Sequence, residues 1–125
     1  MLKKHSTIKS FKYAFTGLKT AITREPNFRI HLTITTIVLI MAILLQLDFS
    51  EFALLAFTIF FVLILELLNT MLEALVNLVS PEIRPEAKVA KDVSAAMVLL
   101  AAMMSVIIGL FLFIPKFLEF ASRYN

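Results

Sequence analysis

The chain has 125 residues, 60% of them hydrophobic and only 17% charged, with a formal net charge of +3. So apolar a composition excludes an ordinary soluble domain of this size and points to the bilayer. The absence of cysteine removes disulfide frameworks, thiolate metal sites and covalent cysteine catalysis, and it leaves the redox compartment open.

Residues 1–10 contain Lys3, Lys4 and Lys9 without an adjoining apolar core, and the apolar run that follows lacks a small-residue cleavage site. A signal peptide is therefore not expected, and the mature protein is expected to begin near Met1. Over residues 6–24, Ile8, Phe11, Phe15, Leu18 and Ile22 recur at helical spacing on one narrow face, with Lys9, Lys12 and Lys19 beside it. This predicts an amphipathic surface helix whose lysine stems cover apolar surface while their ammonium groups reach anionic headgroups.

Three spans are predicted after it, over residues 30–47, 52–79 and 93–114, the last ended by Pro115 and Lys116. The architecture expected is thus an all-α membrane protein forming a single domain over 1–125. Lys3, Lys4, Lys9, Lys12, Lys19, Arg24 and Arg29 precede the first span, the first connection has no basic residue, and the second has Arg84, Lys88 and Lys91. The positive-inside rule then puts the N-terminus and the second connection in the cytoplasm, outweighing Lys116 and Arg123 at the other end. Within the third span Ala101, Ser105 and Gly109 recur every four residues, with Ala95 and Ala102 near that face, so close helix packing is expected there.

The second span carries the chemistry. Glu66, Asn69, Glu73 and Asn77 follow one another at steps of three, four and four. That spacing puts them within an arc of about 80° on one helix face. Counting inward from Phe52, Glu66 lies roughly 8 Å inside the cytoplasmic leaflet, and Glu73 and Asn77 reach the headgroup zone. Asn and Glu can serve as glue between helices, but carboxylates in a bilayer are costly, and two on one face with aligned amides exceed what glue requires. Lys88, Lys91 and Asp92 precede the third span at the level of Glu73, and Glu25, Pro26, Asn27, Arg29 and His31 surround the break before the first span.

Carboxylates around a water-accessible point can hold Mg²⁺, commonly through one or two carboxylates plus nucleotide phosphates, and nearby Lys and Arg can steady phosphate oxygens. Glu66, the deepest acid, suits a general base that takes a proton from a lipid alcohol while ATP approaches from the cytosol. No G-x-x-x-x-G-K-[ST] loop is present, Gly17 and Gly109 are the only glycines, and His5 and His31 are too scattered for a zinc motif. A nucleotide site here has to rely on side chains, and nothing calls for nucleic acid.

Two segments, Glu66-Leu67-Leu68-Asn69-Thr70-Met71-Leu72-Glu73-Ala74-Leu75-Val76-Asn77 and Ala90-Lys91-Asp92-Val93-Ser94-Ala95-Ala96, resemble the signature of the prokaryotic diacylglycerol kinase family, which includes the undecaprenol kinases of Gram-positive bacteria. The likeness runs from about Phe11 to Pro115. It implies a homotrimeric kinase of the bacterial inner membrane that uses Mg-ATP to phosphorylate a lipid hydroxyl at the cytoplasmic face, with neighbouring subunits sharing each site. By the same resemblance Glu66 is the base, Glu25 and Glu73 hold the metal, and Asn69, Lys91 and Asp92 order the site and contact nucleotide. Arg29 is a further positioning candidate. The family signature usually closes with Asp, and Asn77 keeps the shape and one acceptor but removes a charge, which implies weaker or rearranged nucleotide contacts there. The Glu25, Pro26, Asn27 and His31 pattern resembles the Gram-positive branch, favouring undecaprenol over diacylglycerol. The competing reading of another class is a small ion-conducting oligomer with Glu66 and Glu73 lining its pore.

Overall fold

The computed structural model describes residues 6–82 and 84–123. Lys3, Lys4 and His5, which entered the reading above, lie outside the described residues. Four helices follow one another: α1 (Thr7–Arg24), α2 (Pro26–Leu44), α3 (Phe49–Val79) and α4 (Pro85–Ser122). The last three are long and apolar enough to cross a membrane. Their outward faces carry large apolar side chains such as Phe57, Leu99 and Phe111, at 66%, 62% and 78% exposure. Water would not tolerate such a surface on a protein this small, whereas lipid chains match it.

The break between α1 and α2 is written in the Glu25-Pro26 pair. Proline's ring disfavours helical backbone in the residue before it, and Glu25 is extended (φ −103°, ψ 107°). Pro26 itself suits the first turn of α2, where its missing N–H has no partner to lose. Arg29 fastens the joint by donating from Nη1 to the carbonyl oxygens of Ile22 (3.2 Å) and Thr23 (3.1 Å), near the otherwise open C-terminus of α1. The apolar face of α1 stays uncovered within the chain, with Ile8 79%, Phe11 64% and Phe15 70% exposed.

Helix α2 stops at Leu44, three residues short of the predicted span end at Leu47. Gln46 adopts left-handed backbone (φ 54°), which turns the chain before Leu47 donates its N–H to the Ala42 carbonyl (3.1 Å). Asp48 then opens α3 with a capping box: its carboxylate accepts from the Glu51 N–H (2.9 Å), and Glu51 accepts from the Asp48 N–H (2.8 Å).

That hydrogen bond from the Glu51 backbone, followed by one from the Ser50 hydroxyl, holds the Asp48 carboxyl below the usual carboxylate range. A depressed carboxyl stabilises the fold above its unfolded pKa, and the contribution fades as pH falls through the folded value. Asp48→Ala is therefore expected to lower the thermal midpoint in detergent at neutral pH, and the gap to wild type should close on acidification. A gap that persisted at acid pH would place the effect elsewhere.

Helix α4 begins with Pro85 in its first turn and runs through Pro115 to Ser122, so Pro115 does not end it as the sequence suggested. Proline forfeits one backbone hydrogen bond at this point, but the next residue is anchored: Lys116 Nζ lies 3.0 Å from Glu51 Oε2 at the start of α3. The apolar core sits at this same end, where Ala42, Leu55 and Leu112 pack with Val38, Ile59 and Phe113. At the close-packing face predicted on α4, Ala101 is buried as expected. A Cβ on Gly109, however, would meet nothing within 4 Å, because Gly109 and Ser105 border a cavity instead of a facing backbone. With 31 residues, α3 extends about 46 Å at 1.5 Å per residue. This exceeds a hydrocarbon core of roughly 30 Å.

Candidate active site

The stripe on α3 is graded in burial. Glu66 is 3% and Asn69 8% exposed, Glu73 is half-buried and Asn77 is exposed. The helical repeat keeps all four on one face, and α2 and α4 close over its deeper part. A cleft of about 300 Å³ results, lined by Asn27 and His31 of α2, Glu66, Asn69 and Glu73 of α3, and Ala95 with its neighbours on α4.

Every deep polar group in this cleft has a partner from another helix or from the stripe itself. His31 Nε2 lies 3.1 Å from Glu66 Oε1, bringing α2 to the deepest acid. From α4, the Ser94 hydroxyl donates to Asn69 Oδ1 at 2.7 Å and lies 2.9 Å from the Lys91 carbonyl oxygen. Asn69 in turn donates from Nδ2 to Glu73 Oε1 at 3.3 Å. Ser94 is 1% exposed, so its hydroxyl reaches Asn69 without competition from bulk water. Further out, Lys91 Nζ donates to Asn77 Oδ1 at 2.6 Å. The amide thus supplies the acceptor that an aspartate would, without neutralising the ammonium charge.

Glu66, Asn69 and Glu73 therefore meet in one cleft, with Lys91 and Asn77 paired at its exposed rim. Glu25 is half-buried at the α1–α2 joint; its side chain caps neither helix, and it lies near enough to Glu66, as Glu73 does, for their charges to interact. Asp92 points elsewhere. It pairs with Lys88 one turn away at 2.7 Å, and both side chains are largely exposed. Arg29 spends its guanidinium on the carbonyls of α1, so it positions that helix instead of reaching the cleft. Among the described residues no three acidic or histidine side chains form a metal cage.

His31 and Ser94 were not among the site residues expected from the sequence. His31 could have been found as an ionisable side chain at the head of an otherwise uncharged span, which is a functional candidate by default. Ser94 gave no comparable signal, since a small hydroxyl in an apolar helix satisfies itself locally as often as it reaches a neighbour.

Residues 12–113 match the family described as prokaryotic diacylglycerol kinase. The chain belongs to that family. Among individual relatives, a diacylglycerol kinase of Synechocystis is 46% identical over 111 residues, covering 88% of this chain and 63% of that protein. An undecaprenol kinase of Bacillus subtilis is 39% identical over 108 residues, covering 86% and 88%. A diacylglycerol kinase of Escherichia coli K12 is 32% identical over 100 residues, covering 80% and 82%. The chain thus spans under two thirds of the Synechocystis relative and most of the other two. Membership in the diacylglycerol kinase family places the protein among lipid kinases, and ATP use goes with that class. It also weighs against the reading of Glu66 and Glu73 as the lining of an ion pore.

Proposed function

We propose that the protein transfers the γ-phosphoryl group of ATP to the hydroxyl of a membrane lipid alcohol at the cytoplasmic face of a bacterial inner membrane. The observation that carries this reading is the buried carboxylate of Glu66, set in a cleft between three apolar helices and graded outward through Asn69 and Glu73 to a lysine at the rim. A lipid alcohol can bring its hydroxyl to that depth with its chain still in the bilayer. The polyphosphate of ATP can stay at the wet end, where Lys91 keeps its full charge against a neutral amide.

In the transfer, Glu66 takes the proton of the lipid hydroxyl as its oxygen bonds to the γ-phosphorus. The bond from that phosphorus to the β,γ-bridging oxygen breaks, ADP leaves, and the proton later passes to water. Asn69 holds Glu73 in place, and Lys91 steadies phosphate oxygens. Mg²⁺ fits the donor set: Glu73 and Glu25 offer hard carboxylate oxygens, and two suffice where phosphates complete the shell, so the lack of a three-acid cage among the described residues is no obstacle. When bound, the ion would neutralise charge on the phosphate oxygens. Asp92, exposed and paired with Lys88, would reach nucleotide only after exchanging that partner.

The basic, amphipathic α1 would lie along the cytoplasmic headgroups, and its uncovered apolar face suits lipid. A homotrimer with sites shared between subunits would complete the thin bundle. Undecaprenol and diacylglycerol are supported alike, because relatives named for each resemble the chain. The Gram-positive pattern around Glu25 and His31 makes undecaprenol the first acceptor to try. Purified protein in mixed micelles with labelled ATP and Mg²⁺ is expected to form lipid phosphate from at least one of the two alcohols. Label transfer to neither would refute the proposal, and the ratio of initial rates would assign the acceptor.

A further inference from the structure

We propose that His31 is a positioning residue for the lipid-kinase reaction, orienting the Glu66 carboxylate toward the incoming hydroxyl. The inference rests on the reading of Glu66 as the base.

Two observations point to it independently. First, His31 Nε2 lies 3.1 Å from Glu66 Oε1, while among the described residues no hydrogen bond to Glu66 Oε2 occurs. An imidazole nitrogen within reach of one carboxylate oxygen restrains the rotation of the group and leaves the other oxygen for the cleft that Glu66 lines. Second, His31 is the one described residue shared by the walls of two spaces. One is the polar cleft of about 300 Å³; the other is an apolar cavity of about 190 Å³ reaching along α3 to Leu55 and along α4 to Gly109. A hydroxyl carried in on an apolar chain would pass from the second space into the first beside this ring.

The proton balance is unchanged by His31. The acceptor's proton goes to the free oxygen of Glu66, and the imidazole keeps its own. The acids near the pair are Glu25, from the α1–α2 joint, and Glu73, on α3. Neither can replace His31 as a donor to Glu66, because an ionised carboxylate only accepts. A misoriented base costs rate more than binding, so the effect should fall on kcat.

The test compares His31→Leu, His31→Ala and His31→Gln with wild type and Glu66→Gln, all assayed with Mg-ATP and the preferred lipid alcohol in micelles. His31→Leu and His31→Ala are expected to lower kcat by about 10–100-fold, with the apparent KM for ATP within about twofold of wild type, as for loss of alignment without loss of binding. His31→Gln, whose amide can present an N–H near the position of Nε2, is expected to recover most of the rate. Wild-type kcat in both His31→Leu and His31→Ala, with Glu66→Gln inactive, would overturn the inference alone. Equal losses in all three His31 variants, tracking lowered thermal midpoints, would reduce the contact to a structural one. Equal turnover in wild type and Glu66→Gln would overturn the base assignment and this inference together.

Discussion

Glu66→Gln is expected to remove nearly all lipid-phosphate formation while the protein still folds. The amide retains the size of the carboxylate and a hydrogen-bonding contact for His31, and it cannot accept the hydroxyl proton. General-base catalysis contributes about 10²–10⁴-fold, so kcat should fall by that order while the apparent KM for ATP, bound further out, changes little. Folding should survive because the side chain sits at only 3% exposure beside the His31 imidazole, and a neutral group is cheaper to bury there than a charge. Helix content and elution in detergent would check the fold, and label transfer the rate. Wild-type turnover in this variant would move the base to another residue.

Glu73→Gln is expected to produce a loss of a different kind. Glu73 accepts from Asn69 and is half-buried in the cleft wall, where in the proposed reaction a metal-bound nucleotide would meet the protein. Removing its charge should weaken the hold on Mg-ATP. The apparent KM for ATP should then rise and the Mg²⁺ concentration needed for half-maximal rate should increase, each by about 10-fold or more, as for loss of a coordinating group. Raising Mg²⁺ should restore part of the rate, which it would not do for Glu66→Gln. Titration of a fluorescent ATP analogue gives a readout independent of turnover. Unchanged Mg²⁺ dependence would assign Glu73 a role in packing alone.

The helices and the stripe could be read from the sequence because both depend on local periodicity. An apolar run of sufficient length makes a span in lipid whatever its neighbours, and the positions of Glu66, Asn69, Glu73 and Asn77 on one face follow from residues per turn. Helix ends were less legible. Leu45–Leu47 read as a continuation of α2, yet the left-handed Gln46 turns the chain there; Pro115 read as a terminator, yet Lys116 finds Glu51 on a helix far away in sequence. The same limit applies to the cleft. Lys91 and Asn77 are 14 residues apart and Ser94 and Asn69 are 25 apart, so their pairing depends on how α4 lies against α3. Spacing alone did hint at the fate of Asp92, since Lys88 four residues earlier on one helix is a ready partner. Arg29 illustrates the opposite case, a cation placed near phosphate chemistry by resemblance and found holding two backbone carbonyls.

The packed apolar core around Leu55 and Leu112 and the polar cleft around Glu66 occupy different stretches of the same two helices. On α3 they are 11 residues apart, about 16 Å along the axis. The apolar clamp at one end of the bundle and the proposed site at the other are thereby separated along the helices. Apolar packing around Leu55 and Leu112 joins the helices at one end and polar contacts such as Ser94–Asn69 and Lys91–Asn77 join them at the other, so a single substitution in the cleft would loosen one clamp while the second still held the bundle.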